Sequence, residues 1–210
     1  MSKECALDPD RLFSDPDRCA HICVDMQRMF AEPTPWHAPW MVRVIPAIAA
    51  LVEQQAARTI FSRFIPADRP ESAPGAWQAY YSRWPMMTQA VLPPDLLDII
   101  PALSIFSPPA RIVDKQVYSP WLSGALHSRL QADHVHTLVV TGGETEICVL
   151  ATVMGAIDLG YRVVIVSDGV CSSADETHDA MLAIYRSRFG QQLAVLDMAE
   201  VLSAWAPQPR

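Results

Sequence analysis

Three reactive side chains stand at the ends of short apolar runs in this sequence. Asp25 closes His21-Ile-Cys-Val-Asp25, Lys115 closes Arg111-Ile-Val-Asp-Lys115, and Cys148 follows Leu138-Val-Val-Thr-Gly-Gly-Glu-Thr-Glu-Ile147. A thiol is a nucleophile, a carboxylate can take and return its proton, and an ammonium balances their charge. That set suits acyl transfer through a thioester. Cys148 lies where Gly142-Gly143 turns a strand into a helix, whose free N–H groups and positive dipole end favour a thiolate. Lys115 nearby is expected to lower the thiol pKa further. Residue types alone leave a second reading open, because a cysteine at an apolar helix start also serves as a small buried hydrophobe. Three ionisable groups at three apolar strand ends are costly to bury unless they pair, which is the argument for a site.

For the three to meet, their runs must be neighbouring strands. Each run is short and rich in β-branched residues, as expected of a parallel strand buried on both faces. Thr59–Arg63, Thr137–Thr141, Arg162–Ser167 and Gln192–Leu196 complete the strands with those ending at Asp25 and Lys115. Between them fall helices at Val42–Ala57, Ser123–Gln131, Cys148–Leu159 (stopped by Gly160) and Glu176–Phe189, with a last helix begun by Asp197. The alternation predicts an α/β fold: a three-layer α/β/α domain on a six-stranded, mostly parallel, Rossmann-like sheet. Such sheets hold ligands at the carboxyl ends of their strands. Residues 1–20 read as an N-terminal arm covering the domain or a neighbouring subunit, and 21–205 as one domain with an insertion at about 66–110.

With 210 residues, half of them hydrophobic, the chain suits one large α/β domain. A formal charge of −7 without any Lys/Arg run argues against nucleic acid or an anionic membrane as partner and leaves small neutral or cationic ligands. No apolar stretch of about 18 residues appears, and the start Met1-Ser-Lys-Glu-Cys-Ala lacks an export signal, so a cytoplasmic protein is expected. Cys5, Cys19, Cys23, Cys148 and Cys171 form an odd set without C-x-x-C spacing, which suits reduced thiols.

The chain resembles the isochorismatase-like cysteine hydrolases from His21 to about Val201. The resemblance is carried by Val24-Asp25-Met-Gln27, Val113-Asp-Lys-Gln-Val-Tyr-Ser119, Thr141-Gly-Gly-Glu-Thr-Glu-Ile-Cys-Val149 and Val163-Val-Ile-Val-Ser-Asp-Gly-Val-Cys-Ser-Ser173 with Glu176-Thr-His178. It implies Cys148 as nucleophile, Asp25 as general acid/base and Lys115 holding both in charge balance. It also implies a cis peptide between Gly143 and Glu144, an oxyanion hole from the backbone N–H groups of Glu144 and Cys148, no cofactor, and a homodimer or homotetramer. Nicotinamidases of this family carry an Asp-x-His metal motif after the second strand. Here that stretch reads Ser62-Arg-Phe-Ile-Pro-Ala-Asp68, and no histidine lies between His37 and His127. No catalytic metal is therefore expected, and nicotinamide drops as a substrate. Isochorismatases proper lack the cysteine, so Cys148 favours hydrolysis of a C–N bond.

The expected activity is that of a metal-independent cysteine hydrolase on a small amide, ureide or carbamoyl compound, resembling the branch with N-carbamoylsarcosine amidase and the biuret and ureidoacrylate hydrolases. The alternatives are a non-catalytic binding or assembly protein on the same scaffold and an isochorismatase-type hydrolase. Nucleotide or flavin binding at the strand-Gly-Gly-helix turn lacks a G-x-G-x-x-G pattern. Phe30, Trp36, Phe64, Tyr81, Trp84, Tyr118 and Trp121 are expected to wall the substrate pocket. Arg63 is a candidate carboxylate binder, and His37 lies near the pocket. His127, His134 and His136 read as surface or structural residues, and His178 as a cap or interface residue.

Overall fold

Six β-branched runs form one sheet in the order β3-β2-β1-β4-β5-β6, the strands being β1 (Cys19–Val24), β2 (Thr59–Phe64), β3 (Arg111–Lys115), β4 (Thr137–Gly143), β5 (Arg162–Cys171) and β6 (Leu193–Leu196). Every pairing is parallel, where the sequence led us to expect a mostly parallel sheet. The computed structural model describes residues 7 and 9–206, so Cys5 lies outside the described residues. β1 begins two residues before His21, and β5 runs past Ser167 to Cys171 because its pairing with β4 shifts register between Val140 and Gly142.

Successive side chains of a strand point to opposite faces, and the core divides accordingly. Ala20, Ile22 and Val24 of β1 face one apolar layer, and Cys19 and Cys23 the other. The first layer is closed by α3 (Ala125–Ala132), α4 (Leu150–Asp158) and α5 (Asp175–Arg188). The second is closed mainly by α1 (Met41–Gln55), which buries Met41, Val44, Ile48, Leu51 and Val52 at helical spacing, and by α6 (Met198–Ala204). The insertion carries α2 (Ala76–Arg83) among short helical turns. Leu12 and Phe13 pack on the domain's own core, Phe13 stacking on Trp205 at 6.0 Å between centroids.

One buried polar chain crosses the sheet. The Thr59 hydroxyl donates to Gln55 O, so it accepts from His21 Nδ1 at 3.1 Å, and His21 Nε2 then accepts from the Thr141 hydroxyl at 2.8 Å. Burial lowers the His21 pKa to about 3, which keeps the ring neutral in this role. Among the described residues, no helix is long and apolar enough to cross a membrane.

Candidate functional site

The strand order reverses between β1 and β4, which is where a doubly wound sheet opens a crevice. Asp25 follows β1 and Cys148 lies just past β4, so the acid and the thiol flank that crevice. Lys115 ends β3, two strands from β1, and its long stem reaches back over the end of β2. There its ammonium lies 5.0 Å from the centroid of the Phe64 ring.

The contacts among the three are direct. Lys115 Nζ donates to Asp25 Oδ2 at 2.7 Å, to Cys148 Sγ at 3.4 Å and to Val117 O at 3.2 Å, so each of its three donors has an acceptor. Asp25 Oδ1 accepts from the Ser62 hydroxyl at 2.7 Å. Asp25 sits at φ +52°, a left-handed conformation that Asp tolerates better than most residues. Its backbone N–H is anchored to Ser62 O at 3.1 Å. The second strand, without histidine at its exit, thus contributes a hydroxyl to the carboxylate.

Electrostatics correct one expectation. Burial pushes the Cys148 thiol well above its ordinary range, and Asp25 pushes it further, while Lys115 pulls it down by less. The site therefore raises the thiol pKa, where a helix start and a lysine suggested that it would be lowered. For Lys115, burial opposes the charged form, but Asp25 and Cys148 outweigh it and the net direction is upward. The ammonium and carboxylate form an ion pair with side chains 3% and 2% exposed.

The turn carrying Cys148 is built around two glycines. Gly142 has φ +101°, and a Cβ there would run into the backbone of Val24, so β4 approaches β1 closely at this point. The Gly143–Glu144 peptide is cis, and a π-helical turn (Thr145–Val149) then leads into α4. Thr145 fastens this turn from behind. Its hydroxyl donates to Cys171 O at 3.0 Å, so it accepts from His178 Nδ1 at 2.8 Å. His178, expected as a cap or interface residue, is instead buried inside α5 against this turn.

Cys148 opens onto a cavity of about 230 Å³. Of the aromatic residues expected as walls, Phe30, Trp36, Phe64 and Tyr118 line it, together with Tyr80, Ile147, Ser173, His37, Pro35 and the side of Glu144. Tyr81, Trp84 and Trp121 do not. Tyr81 is buried beside Trp77, and Trp84 packs on the cluster of Met29, Phe64, Met87 and Leu92. Trp121 lies over Gly155, stacks on Tyr161 and donates its indole N–H to Thr152 O at 2.9 Å. Tyr80 and Tyr81 are adjacent on α2, so their side chains diverge by about 100° and only one faces the cavity. Composition could not say which.

Gln27 is another residue whose role was not apparent. Its carboxamide accepts from Phe64 N at 2.6 Å and donates to Phe64 O and Leu97 O, tying the exits of β1 and β2 to the insertion. Arg63 is held by Asp114 through two bonds of 2.7 and 2.9 Å, with Asp98 at 3.7 Å, and does not line the cavity. His127 bonds the Tyr161 hydroxyl at 2.9 Å. Among the described residues, no three His, Cys, Asp or Glu side chains converge as a metal-ligand set.

A thiol, an acid and an amine thus meet at the switch point of a doubly wound sheet, the set of groups a cysteine-type hydrolase uses. The sequence matches the family model of the isochorismatase domain over residues 19–197, and the chain belongs to that family. It is similar to a cysteine hydrolase from Pseudomonas syringae pv. phaseolicola 1448A at 27% identity and a TM-score of 0.80, covering 98% of each chain. It is also similar to an isochorismatase-like hydrolase from Alkaliphilus metalliredigens at 25% identity and a TM-score of 0.73, covering 90% of this chain and 99% of that one. N-carbamoylsarcosine amidase from Thermoplasma acidophilum shares the fold at 18% identity and a TM-score of 0.69, over 86% and 96% of the two chains. Among curated proteins, none matches the chain significantly.

Proposed function

We propose that this protein is a metal-independent cysteine hydrolase that cleaves the C–N bond of a small amide, ureide or carbamoyl compound through a thioester. The observation that carries this reading is the Lys115 ammonium bridging Asp25 and Cys148 beneath the cavity, 2.7 Å from one and 3.4 Å from the other. The Cys148 proton moves to Asp25 as sulfur attacks the carbonyl carbon, in keeping with the upward shift of the thiol pKa. Lys115 stabilises the carboxylate before this transfer and the charge that develops during it.

The backbone N–H groups of Glu144 and Cys148 would receive the tetrahedral oxyanion, a role suited to rigid donors in a water-poor site. The C–N bond then breaks as Asp25 returns the proton to the leaving nitrogen. Water attacks the thioester, gives a proton to Asp25, and the acid departs as sulfur regains that proton. Similarity to a cysteine hydrolase at 27% identity supports a hydrolase that uses a cysteine.

The test is ammonia release over a panel of small amides and ureides by wild type and Cys148→Ala, with hydroxylamine added to trap the acyl enzyme. Turnover and a hydroxamate, formed as hydroxylamine takes the acyl group from Cys148 and frees the thiol, are expected in wild type, and neither in the variant. If wild type turns over nothing while Cys148→Ala binds the same compounds equally well, the hydrolase reading is wrong.

A further inference from the structure

The cavity wall is specific about charge. Its aromatic members come from three separate segments: Phe30 and Trp36 after β1, Phe64 and Tyr80 from β2 and α2, and Tyr118 after β3. Trp36 is close to three of them at differing angles. Trp36 lies 6.2 Å from Phe30 at 16° between planes, 5.6 Å from Tyr80 at 36°, and 6.0 Å from Phe64 at 73°. Rings turned to one another at such angles present both faces and edges around one small space.

Among the described residues, no lysine or arginine lines this space. Lys115 lies behind the sulfur with all its donors engaged, and Arg63 and Arg28 are taken up by Asp114, Asp95 and Glu32. The carboxylate on the lining is Glu144, whose Oε1 accepts from Ser173 N at 3.0 Å. Burial raises the pKa of Tyr80 and Tyr118; Glu144 adds to the shift at both, and Lys115 opposes it at Tyr118. An anionic substrate would therefore meet a carboxylate and aromatic rings, while the ammonium behind the sulfur, Lys115, stays paired with Asp25. A cation would meet the carboxylate and the rings favourably.

Resting on the hydrolase reading above, we infer that the substrate is a cationic amide, one whose acyl part carries an ammonium or quaternary ammonium group. Asp25 lies buried beside the sulfur and away from the cavity, so the leaving nitrogen belongs at that end and the remainder of the molecule fills the aromatic chamber. A volume of about 230 Å³ is below the usual range for drug-sized ligands, which limits the acyl part to a few heavy atoms. The chain's net charge of −7 draws a cation toward the protein and repels an anion.

Matched compounds test this directly. The amide of N,N,N-trimethylglycine and 3,3-dimethylbutanamide share their shape and differ by one positive charge; malonamate supplies the anion. Kinetics are read on wild type, and binding to Cys148→Ala is read by calorimetry. The cationic amide is expected to exceed its neutral isostere by about tenfold in kcat/KM and in affinity, with malonamate neither bound nor hydrolysed. The ratio should fall toward unity in Glu144→Gln and be reduced in Tyr118→Leu. Equal or better use of the neutral isostere, or acceptance of malonamate, overturns the inference. If wild type hydrolyses none of the three while Cys148→Ala keeps the cation preference, the hydrolase reading fails and the charge preference stands. If the neutral amide is hydrolysed without that preference, the reverse holds.

Discussion

The floor of the site and its wall are built on opposite principles. On the floor, Asp25, Lys115 and Cys148 are fixed at or just past strand ends on one edge of the sheet and by bonds that use every donor of the ammonium. The wall is assembled from loops and the insertion, and its members touch through rings without directional bonds. The difference teaches that chemistry and selectivity are separable here. Damage to the floor should abolish turnover or unfold the protein, whereas damage to the wall should alter which molecule is held.

The strongest way to break that contrast is on the floor. Asp25→Asn is expected to lower kcat by about 10³-fold, within the usual range for loss of an acid/base group, as measured by steady-state ammonia release. A loss confined to KM would mean that Asp25 belongs to the wall. Lys115→Met leaves the Asp25 carboxylate buried without its cation and should cost about 3–5 kcal/mol of stability in denaturant unfolding. A change below about 1 kcal/mol would place the pair in a far wetter setting than its burial indicates.

Further from the site, His21 gives a pH signature. Its folded pKa is depressed to about 3, so its contribution to stability is present above the unfolded value near 6.5 and is lost as pH falls through the window between them. Wild type should lose about 1.4 kcal/mol per pH unit across that window beyond the loss in His21→Gln. Parallel pH profiles for the two proteins would show that the ring accepts a proton in place. On the wall, Tyr80→Leu should raise KM by roughly tenfold with kcat little changed, the pattern of lost uniform binding. Trp121→Leu, which removes a ring packed over Gly155, should leave KM where it was. A shift in KM there would extend the wall beyond the cavity described.

The floor was legible in the sequence because β-branched runs announce strands, and each reactive residue closes or shortly follows one. The Gly142-Gly143 pair marked the turn that β1 crowds. The direction of the Cys148 pKa was misread, since a helix start and a lysine are visible in sequence while the depth of burial is not. The wall was legible only as composition. Tyr81 and Tyr80 differ by one position on a helix, and Trp121 found its place against a glycine 34 residues away, on an element with no sequence signal linking the two. The bond between Thr145 and His178, the latter read as a cap or interface residue, was not legible because it depends on where α5 docks.

The strand order carries a last consequence. Along the chain the three residues run acid, amine, thiol; across the sheet they run amine, acid, thiol. The long excursion between β2 and β3 therefore returns Lys115 to a position fixed by strand register, with Phe64 facing Lys115 across the pair, whatever path the excursion takes. The segment that helps choose the molecule can be rebuilt, lengthened or exchanged while the reacting groups keep their spacing. Such a chain can acquire a new diet without relearning how to digest.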